Sequence, residues 1–529
     1  MNENKNETPF GNPRFLAVMA ITFFALWGWQ YYLGKKYPTP QTTEATAVNN
    51  STTTSATAVA TASVVNTPSV SSSLQAITQE EKIFAYEDET VKYEITSKGM
   101  GIKTYVLKNY TDRKKEQINF NYLEPQAEII VDNKVVYFDI QQVADGEYTG
   151  TAQVEGKQIT RTLKFDKNLK FFVSDLKFDQ GLDSIQTKLF QIHHQPQSSS
   201  FLFPSFEHQD FIYIEAGSTK DHSIAGLEPN EGFMKTSTGA SLASIGTQYF
   251  TAASINKSEI IPSLTNKVEN NIASVAINYN LKDVKLTDIK QIIYLGPKKT
   301  EVLNQIDTQL VETLNYGMFG FISKILMKLM VFLHSFLGNW GLAIIALTLI
   351  VRTILLPFNV MSFKSAQAMQ KIKPKMDAVR EKYKNDPMKM NQETMALMKN
   401  NNANPLSGCL PMLLQIPIFF ALWRAIGSSI ELYQQPFFGW ITDLSYYDPY
   451  FVFPILMGIT MFLQQKMTPT TMDPMQAKIL NFMPILFTLF MLTLPSGLTI
   501  YNFVSSLFGV IQQYFLLREN KTDSKQVVA

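Results

Sequence analysis

The sequence of 529 residues predicts a multi-domain membrane protein with six transmembrane helices, a large antiparallel β-sandwich domain and a helical hairpin. Two observations indicate this class. Long apolar runs follow one another after residue 315, as expected for helices that cross a bilayer. Between about residues 80 and 310, polar and apolar residues instead alternate in short segments, which is typical of half-buried strands. A further apolar run near the N-terminus adds an anchor to a core of five spans.

The N-terminal run covers residues 15–33 and is long enough to cross a bilayer as a helix. Arg14 precedes it, as in a secretory signal, but Trp27 and Trp29 stand where a cleavage site needs small residues. We therefore expect an uncleaved signal anchor in residues 1–33. Residues 34–79 are rich in Ser, Thr and Ala without an apolar period, which predicts a flexible linker.

Residues 80–312 carry the pattern of an antiparallel β-sandwich. Val91, Tyr93 and Ile95 alternate with polar residues, which is the period of a strand with one buried face. Hairpin turns are predicted at Asp132 with Asn133 and at Glu155 with Gly156. No catalytic signature occurs in this region.

Residues 313–338 predict an amphipathic helix lying in the membrane interface. One apolar face is predicted from Phe319, Ile322, Leu326 and Leu329, with Ser323, Lys324 and Lys328 elsewhere around the helix. The alternative is a core helix of the β-domain.

Residues 339–519 predict a five-span core. The spans are 340–358, Leu410–Gly427, 450–464, 479–494 and 498–517, of which 450–464 is short. Prolines lie at or inside these runs, where neighbouring helices can satisfy the freed carbonyls. They are Pro357, Pro411, Pro417, Pro454, Pro484 and Pro495.

The charges of two loops predict the orientation. Residues 364–399 contain nine Lys or Arg, whereas residues 428–449 contain none. Because basic loops stay in the cytoplasm, the hairpin at 362–404, the N-terminus and the tail at 520–529 are predicted to be cytoplasmic. The β-domain then lies outside, and a Gram-negative inner membrane with a periplasmic domain is the natural setting.

The cytoplasmic hairpin is predicted from a row of apolar residues along one face of a helix, here called the seam, and from a turn that ends this helix. The seam repeats every three or four residues, and the break falls at Asn385, Asp386 and Pro387 before a second helix. Its apolar residues are Met369, Ile372, Met376, Val379 and Tyr383, followed by Met388, Met395 and Met398. The charges on the outer face serve either solvation or contact with headgroups and nascent chains, and the sequence leaves both open.

Arg352 is the candidate functional residue, because it interrupts an otherwise apolar span. Counted from Trp340, it lies about 18 Å deep in a core of ~30 Å, and arginine there costs roughly 2.5–3.5 kcal/mol. Thr348 lies one turn earlier, and Gln415 could add a polar group from the next span. Snorkelling to the headgroups is the alternative. A wet, positively charged cavity here could receive the acidic tail of an incoming segment. Apolar side chains could then cover that segment, with Ile416, Phe420, Met483 and Phe487 as candidates.

Composition and motifs exclude several other functions. The net charge of +2 gives no reason to expect nucleic acid binding, and the single cysteine, Cys409, excludes an internal disulfide. No HExxH or GxxxxGK[ST] pattern occurs, so we expect no metal, cofactor or nucleotide turnover. His334 near the interface provides no serine–histidine pair for an intramembrane protease. The sequence therefore does not predict an enzyme.

The core resembles the YidC-type insertases of the Oxa family. The resemblance is carried by GNWGLAIIALTLIVRTILLPF, NPLSGCLPMLLQIPIFFALW, MTPTTMDPMQAKI, FMPILF and LPSGLTIYNFVSS. It implies a groove open to cytoplasm and lipid, with Arg352 as its charge and Thr348 and Gln415 in its lining. It also implies substrate contact at two pairs of residues and an aromatic side chain where this chain has Asn502. The pairs are Ile416 with Pro417 and Met483 with Phe487.

The resemblance also implies partners: nascent membrane proteins, spans released by the Sec translocon, and the lipid bilayer. A ribosome contact is expected to be weak, because only Lys521 and Lys525 follow Arg518. Two other functions remain open. A secondary transporter would use Arg352 as an anion site, although no inverted repeats are detectable. A structural tether would need no charge at Arg352.

Overall fold

Nineteen short strands precede the long helices in the part of the chain that the structure describes. The structure is a computed structural model that describes residues 81–121, 124–193, 208–224, 227, 232–282, 284–401, 410–468 and 474–526. The predicted anchor at 1–33, the linker at 34–79 and Cys409 lie outside these residues. Residues from Ile83 onward form one compact unit.

The strands form where apolar and polar residues alternate, because successive side chains of a strand point to opposite faces of the sheet, one toward the core and the next toward water. In β2, Val91, Tyr93 and Ile95 are buried, as the sequence predicts. The strands are β1 (Ile83–Glu87), β2 (Val91–Thr96), β3 (Ile102–Thr111), β4 (Gln117–Asn119), β5 (Ile129–Val131), β6 (Lys134–Val135), β7 (Asp139–Ala144), β8 (Glu147–Val154), β9 (Lys157–Asp166), β10 (Phe171–Phe178), β11 (Ser184–Ile192), β12 (Gln209–Glu215), β13 (Ser218–Ser223), β14 (Phe233–Thr238), β15 (Ala240–Thr247), β16 (Phe250–Asn256), β17 (Ser263–Glu269), β18 (Ile272–Asn280) and β19 (Asp288–Pro297).

The strands form three antiparallel sheets rather than two. The largest sheet has nine strands in the order β13-β12-β15-β16-β19-β10-β9-β8-β7. A six-stranded sheet, β14-β17-β18-β11-β5-β6, packs against it, and a four-stranded sheet, β1-β2-β3-β4, adjoins both through a shared core. This arrangement confirms the predicted β-sandwich and adds a third sheet to it.

Both predicted hairpin turns are present. Asp132 and Asn133 join β5 to β6 with φ of 47° and 62°, and Glu155 and Gly156 join β8 to β9 with φ of 54° and 82°. Two successive residues with positive φ make the type of turn whose twist matches that of the flanking strands.

An aromatic cluster joins the four-stranded sheet to the nine-stranded sheet. The ring of Tyr93 lies 4.9 Å from that of Phe165 and 5.0 Å from that of Phe172, both edge-on. Tyr105 contacts Phe172 at 6.0 Å. Edge-to-face geometry is favourable between aromatic rings, so these contacts fix how the two sheets meet.

The described helices begin directly after β19. They are α1 (Thr300–Ile306), α2 (Gly320–Leu337), α3 (Trp340–Lys382), α4 (Pro387–Asn400), α5 (Leu410–Gly427), α6 (Val452–Met467), α7 (Pro474–Met491) and α8 (Ser496–Gln526). Short 3-10 helices occupy Thr308–Leu314 and Ile430–Leu432. A second apolar core continues from the outer face of the nine-stranded sheet through Leu303 and Leu310 into the long helices. The β-domain and the helices thus share buried surface.

Three described helices are long and apolar enough to cross a membrane: α2, the first part of α3, and residues 496–518 of α8. Two shorter apolar stretches lie within α5 and α7, at Leu414–Gly427 and Asn481–Met491. Because α2 meets the same criterion, its predicted place in the interface remains a prediction. The total of six transmembrane helices also remains a prediction.

Helix α2 packs on the face that the sequence predicts, with one correction. Leu326 is buried, while Lys324 and Lys328 are exposed. Ser323, expected away from this face, is fully buried and its hydroxyl donates to the carbonyl of Ala421 on α5, at 2.9 Å. A small hydroxyl lets two helices approach closely while its own polarity is satisfied, so Ser323 belongs to the contact.

Helix α3 extends well beyond the predicted span 340–358. The side chain of Asn339 caps its first turn by accepting from the amide of Leu342. The helix then passes through Pro357 and Pro374 to Lys382 without a break, so the span and the first arm of the hairpin are one helix of 43 residues. A proline removes one backbone donor, and the intact turns on either side keep the helix continuous.

The seam of the hairpin is confirmed at its centre. Met369, Ile372 and Met376 are buried and pack against Leu397 and Met398 of α4. The turn also forms where expected, because the Asp386 carboxylate accepts from the amide of Lys389 and Pro387 takes the first helical position. Val379 and Tyr383 at the end of the seam stay partly exposed.

Candidate functional site

Arg352 lies where α3 packs against α8, and its side chain is partly buried. Its Nε donates to the hydroxyl of Ser505 on α8 at 2.6 Å. This partner was not among the residues predicted from the sequence. Thr348, one turn earlier, is fully buried and its hydroxyl donates instead to the carbonyl of Ile344 at 2.6 Å. The structure therefore does not join Thr348 to Arg352 by a hydrogen bond.

Gln415 reaches the same region through a different residue. Its Nε2 donates to the hydroxyl of Tyr501 at 2.8 Å. Tyr501 and Ser505 are four residues apart on α8 and so lie on one helical face. Arg352 and Gln415 are thus linked through α8, and we call these four residues the polar cluster. Their spacing within LPSGLTIYNFVSS does not by itself identify Tyr501 and Ser505, because the partner helix is not known from the sequence.

Among the described residues, no carboxylate lies beside the charge of Arg352. No ion pair of Arg352 occurs with any residue that the structure describes. Moreover, the sequence has no Asp or Glu in 340–361, Leu410–Gly427, Val452–Met467, Pro474–Met491 or 496–517. A cation held in a low-dielectric surrounding without its own counterion attracts an incoming anion strongly. The arrangement therefore suits the capture of a carboxylate.

Helices α5 and α7 carry the apolar side chains that the sequence predicts to contact a substrate. Ile416 and Phe420 on α5 are each 38% exposed, and Met483 on α7 is 43% exposed. Phe487 is partly buried and its ring lies 6.2 Å from that of Phe419, where α5 and α7 touch. These side chains can cover an apolar segment. Pro417 lies inside α5, where it leaves one carbonyl without its helical donor.

Asn502 does not join the polar cluster. Its Nδ2 donates to the carbonyl of Leu498 at 2.9 Å and lies 3.8 Å from the sulfur of Met491, near the end of α7. The aromatic side chain within the polar cluster is that of the adjacent Tyr501. Within the described ranges, no three or more His, Cys, Asp or Glu side chains are grouped to hold a metal ion.

Two family models match the chain in adjoining segments. The model described as YidC periplasmic domain matches residues 83–329, and the model described as 60Kd inner membrane protein matches residues 332–524. The first match covers the sheets and most of α2, and the second covers the helices that hold the polar cluster.

Known relatives are similar to the chain over part of its length. A Campylobacter jejuni protein named membrane protein insertase YidC is 50% identical over 234 residues, which are 44% of each chain. A Vibrio atlanticus protein of the same name is 40% identical over 303 residues, which are 56% of each chain. The chain thus matches about half the length of these curated relatives.

A solved structure described as active YidC insertase aligns with 83% of this chain and 93% of its own, at 18% identity and a TM-score of 0.37. The two family models leave only residues 330 and 331 unmatched between residue 83 and residue 524. The chain therefore carries a region similar to the YidC periplasmic domain, followed by a region similar to the 60Kd inner membrane protein family.

Proposed function

We propose that this protein is a membrane protein insertase and chaperone, which promotes insertion, folding and assembly of integral membrane proteins. The observation that carries the proposal is the partly buried Arg352, held by Ser505 between apolar helices with no carboxylate beside it in the described part of the chain. The relatives at 40–50% identity are named membrane protein insertases.

The mechanism we propose is capture without covalent chemistry. An acidic residue in the tail of a substrate pairs with Arg352, and the low dielectric strengthens this attraction beyond its value in water. The polar cluster supplies hydrogen bonds to the hydrated tail, while the exposed apolar side chains of α5 and α7 cover the hydrophobic segment. Since no bond is made or broken, the protein needs neither a cofactor nor a nucleotide and is not an enzyme.

The proposal includes an orientation. The nine basic residues of 364–399 favour a cytoplasmic hairpin. The loop at 428–449 has acidic but no basic residues, which favours a periplasmic position for this loop and for the β-domain. The inner membrane of a Gram-negative bacterium is the corresponding location. Substrates would arrive alone or from the Sec translocon.

The test is insertion of a small membrane protein with an acidic tail into liposomes containing the full chain, followed by protease protection. Arg352→Ala should lower the insertion rate by at least about tenfold, because a buried charge pair is worth several kcal/mol when one partner is removed. Arg352→Lys should retain part of the rate. Thr353→Ala is the matched control, since this exposed neighbour donates only to Leu349 in its own helix.

The outcomes separate the rival functions. Equal insertion by natural and Arg352→Ala proteins would keep the insertase but remove Arg352 from its mechanism. Insertion no better than with empty liposomes would contradict the proposal. In that case, flux of a small anion through the same vesicles would indicate a transporter.

Ser505 provides a second readout of the same site. Because its hydroxyl holds the guanidinium of Arg352, Ser505→Ala should slow insertion in the natural protein and have no further effect in Arg352→Ala. Ser506→Ala is the control, as the next residue on the same helix. An equal loss in both backgrounds would show that Ser505 acts independently of Arg352.

A further inference from the structure

Arg424 lies at the end of the helices that meets the β-domain. It belongs to the last turn of α5, three residues before Gly427. The carbonyl of Gly427 accepts a hydrogen bond from the side chain of Gln248, which follows β15. In the other direction, Phe420 precedes Arg424 by one turn on the same side of α5. Arg424 therefore lies between the β-domain and the apolar part of this helix.

A stack of three aromatic rings lies on the apolar side of Arg424. The ring of Phe420 is stacked on that of Phe319, at 6.4 Å between centroids and an angle of 18°, and on that of Trp423, at 6.0 Å and 14°. Phe319 directly precedes α2, so the stack joins the start of α2 to the end of α5. Aromatic side chains are enriched at the level of the lipid headgroups in membrane proteins. The stack thus indicates that Arg424 lies at this level, on the β-domain side of the bilayer.

The guanidinium of Arg424 is partly buried and has no ion pair or side-chain hydrogen bond with the residues that the structure describes. It lies beside Gly317, since its Nε would be 3.5 Å from a methyl group placed on that glycine. A partly buried cation without a counterion favours an anion from outside the chain. Carboxylates of the neighbouring segments have other partners: Lys324 lies 3.7 Å from Glu312, Ser429 donates to Glu431, Ser445 to Asp443 and Trp440 to Asp448.

Exposed apolar side chains follow Gly317. Met318 is 62% exposed, and Phe321 in the first turn of α2 is 79% exposed. A cation beside exposed apolar side chains fits a ligand with an anionic head and hydrocarbon chains, whereas a free anion would use the guanidinium alone. Arginine suits phosphate in particular, because its planar fork of N–H donors matches two phosphate oxygens.

We propose that Arg424 binds the phosphate of an acidic phospholipid in the leaflet on the β-domain side, with the acyl chains against Met318 and Phe321. The site goes beyond the proposed function, because it needs no substrate. It is also separate from the polar cluster, since Gln415 and Arg424 are nine residues, or half a revolution, apart on α5. A bound lipid would hold the start of α2 against the end of α5, because Gly317 and Arg424 lie side by side at its headgroup.

The test is photolabelling of the full chain in phosphatidylcholine vesicles that contain a trace of a phospholipid with a diazirine near the head of one acyl chain. The probe is either phosphatidylglycerol, which is acidic, or phosphatidylcholine, which has the same phosphate but no net charge. Mass spectrometry locates the labelled residues. Phosphatidylglycerol should label Met318 and Phe321 about fivefold more than phosphatidylcholine does, the preference expected from one basic residue near the membrane surface.

Variants assign this preference to the guanidinium. Arg424→Gln should remove it, and Arg424→Lys should keep most of it, because the positive charge remains. Arg380→Gln is the matched control, since it makes the same change at an exposed residue of the hairpin and should leave the labelling of Met318 and Phe321 unaltered.

Equal labelling by the two lipids in the natural protein would overturn the inference, and so would a preference that survives Arg424→Gln. Loss of labelling by both lipids in Arg424→Gln would assign the residue a structural role where α2 meets α5. Loss of the preference on adding excess inorganic phosphate, at constant ionic strength, would show that the site takes a free anion instead of a lipid. Because labelling needs no substrate, failure of the proposed insertion would leave this inference standing.

Discussion

Glu128 is a buried carboxyl group in the loop before β5, packed against Gly99. Its Oε2 has no hydrogen-bond partner among the described residues. Burial raises the pKa of Glu128 from its usual 4.5 to about 7, with Lys98 and Lys188 opposing the rise and Glu124 adding to it. The folded state therefore binds this proton more tightly than the unfolded state does.

This raised pKa predicts a loss of stability with rising pH. Below pH 4.5 the carboxyl is protonated in both states and has no effect. Between pH 4.5 and about 7 only the unfolded state ionises, so the free energy of unfolding falls, by about 3 kcal/mol in all, and is constant above. Glu128→Gln should therefore be more stable than the natural protein at pH 8 but equal to it near pH 4.5.

Urea unfolding of the full chain in detergent, followed by circular dichroism, measures this difference. Glu116→Gln is the control, since this side chain is exposed and its removal should leave the pH dependence unchanged. A constant offset between Glu128→Gln and the natural protein from pH 4.5 to 8 would contradict the raised pKa.

The candidate site shows which residues a single sequence can identify. Arg352 was predictable because an isolated charge in an apolar run violates the local pattern. Ser505 and Tyr501 were not, because small or aromatic polar residues are common in membrane helices and reveal nothing until the facing helix is known. The contact between α3 and α8 joins residues 153 positions apart, which no local period records.

At the scale of elements, α6 and α7 approach closely at one point. Gly458 on α6 faces Thr488 on α7, and a Cβ at Gly458 would overlap the Thr488 hydroxyl. That hydroxyl donates to the carbonyl of Pro484 within α7, at 2.7 Å. A glycine opposite a hydroxyl allows the backbones to pack closely, which membrane helices use in place of a hydrophobic driving force.

Gly458→Ala should therefore separate the two helices and lower the unfolding midpoint in detergent by about 2–6 °C, the effect of 1–3 kcal/mol of overpacking. Thr488→Ala removes the overlapping atom, so the double variant should recover most of the loss. Thr488→Val, which keeps a methyl group in that place, should not restore stability. Equal recovery by Ala and Val would show that overlap is not the cause.

Element boundaries were predictable where a local signal marks them. Asp386 and Pro387 cap α4, and the period of three and four residues gives the buried seam at Met369, Ile372 and Met376. Helix α3 was harder, since Pro357 suggested an end that the chain passes through. The third sheet was also beyond reach, because strand order depends on pairing across long separations rather than on alternation.

At the scale of the whole molecule, the loop between α5 and α6 holds the β-domain against the helices. Tyr433 and Gln434 of this loop both bind Thr111 at the end of β3. The Tyr433 hydroxyl and Gln434 Nε2 each donate to the Thr111 carbonyl at 2.8 Å, and the Thr111 hydroxyl donates to Gln434 Oε1 at 3.1 Å. The ring of Tyr433 also packs on Tyr249 and Phe250, at 4.7 and 5.8 Å between centroids.

These contacts join residues more than three hundred positions apart, so they set the position of the β-domain over the helices. Gln434→Ala removes the hydrogen bonds to Thr111 and a further one to the carbonyl of Asp112. Amide exchange in the hairpin of β3 and β4 should then quicken about fivefold to tenfold, as expected when roughly 1 kcal/mol of local stability is lost. Hydrogen exchange with mass spectrometry measures this in the full chain. Gln435→Ala is the matched control, and equal exchange in the two variants would mean that the hairpin is held by the Tyr433 ring instead.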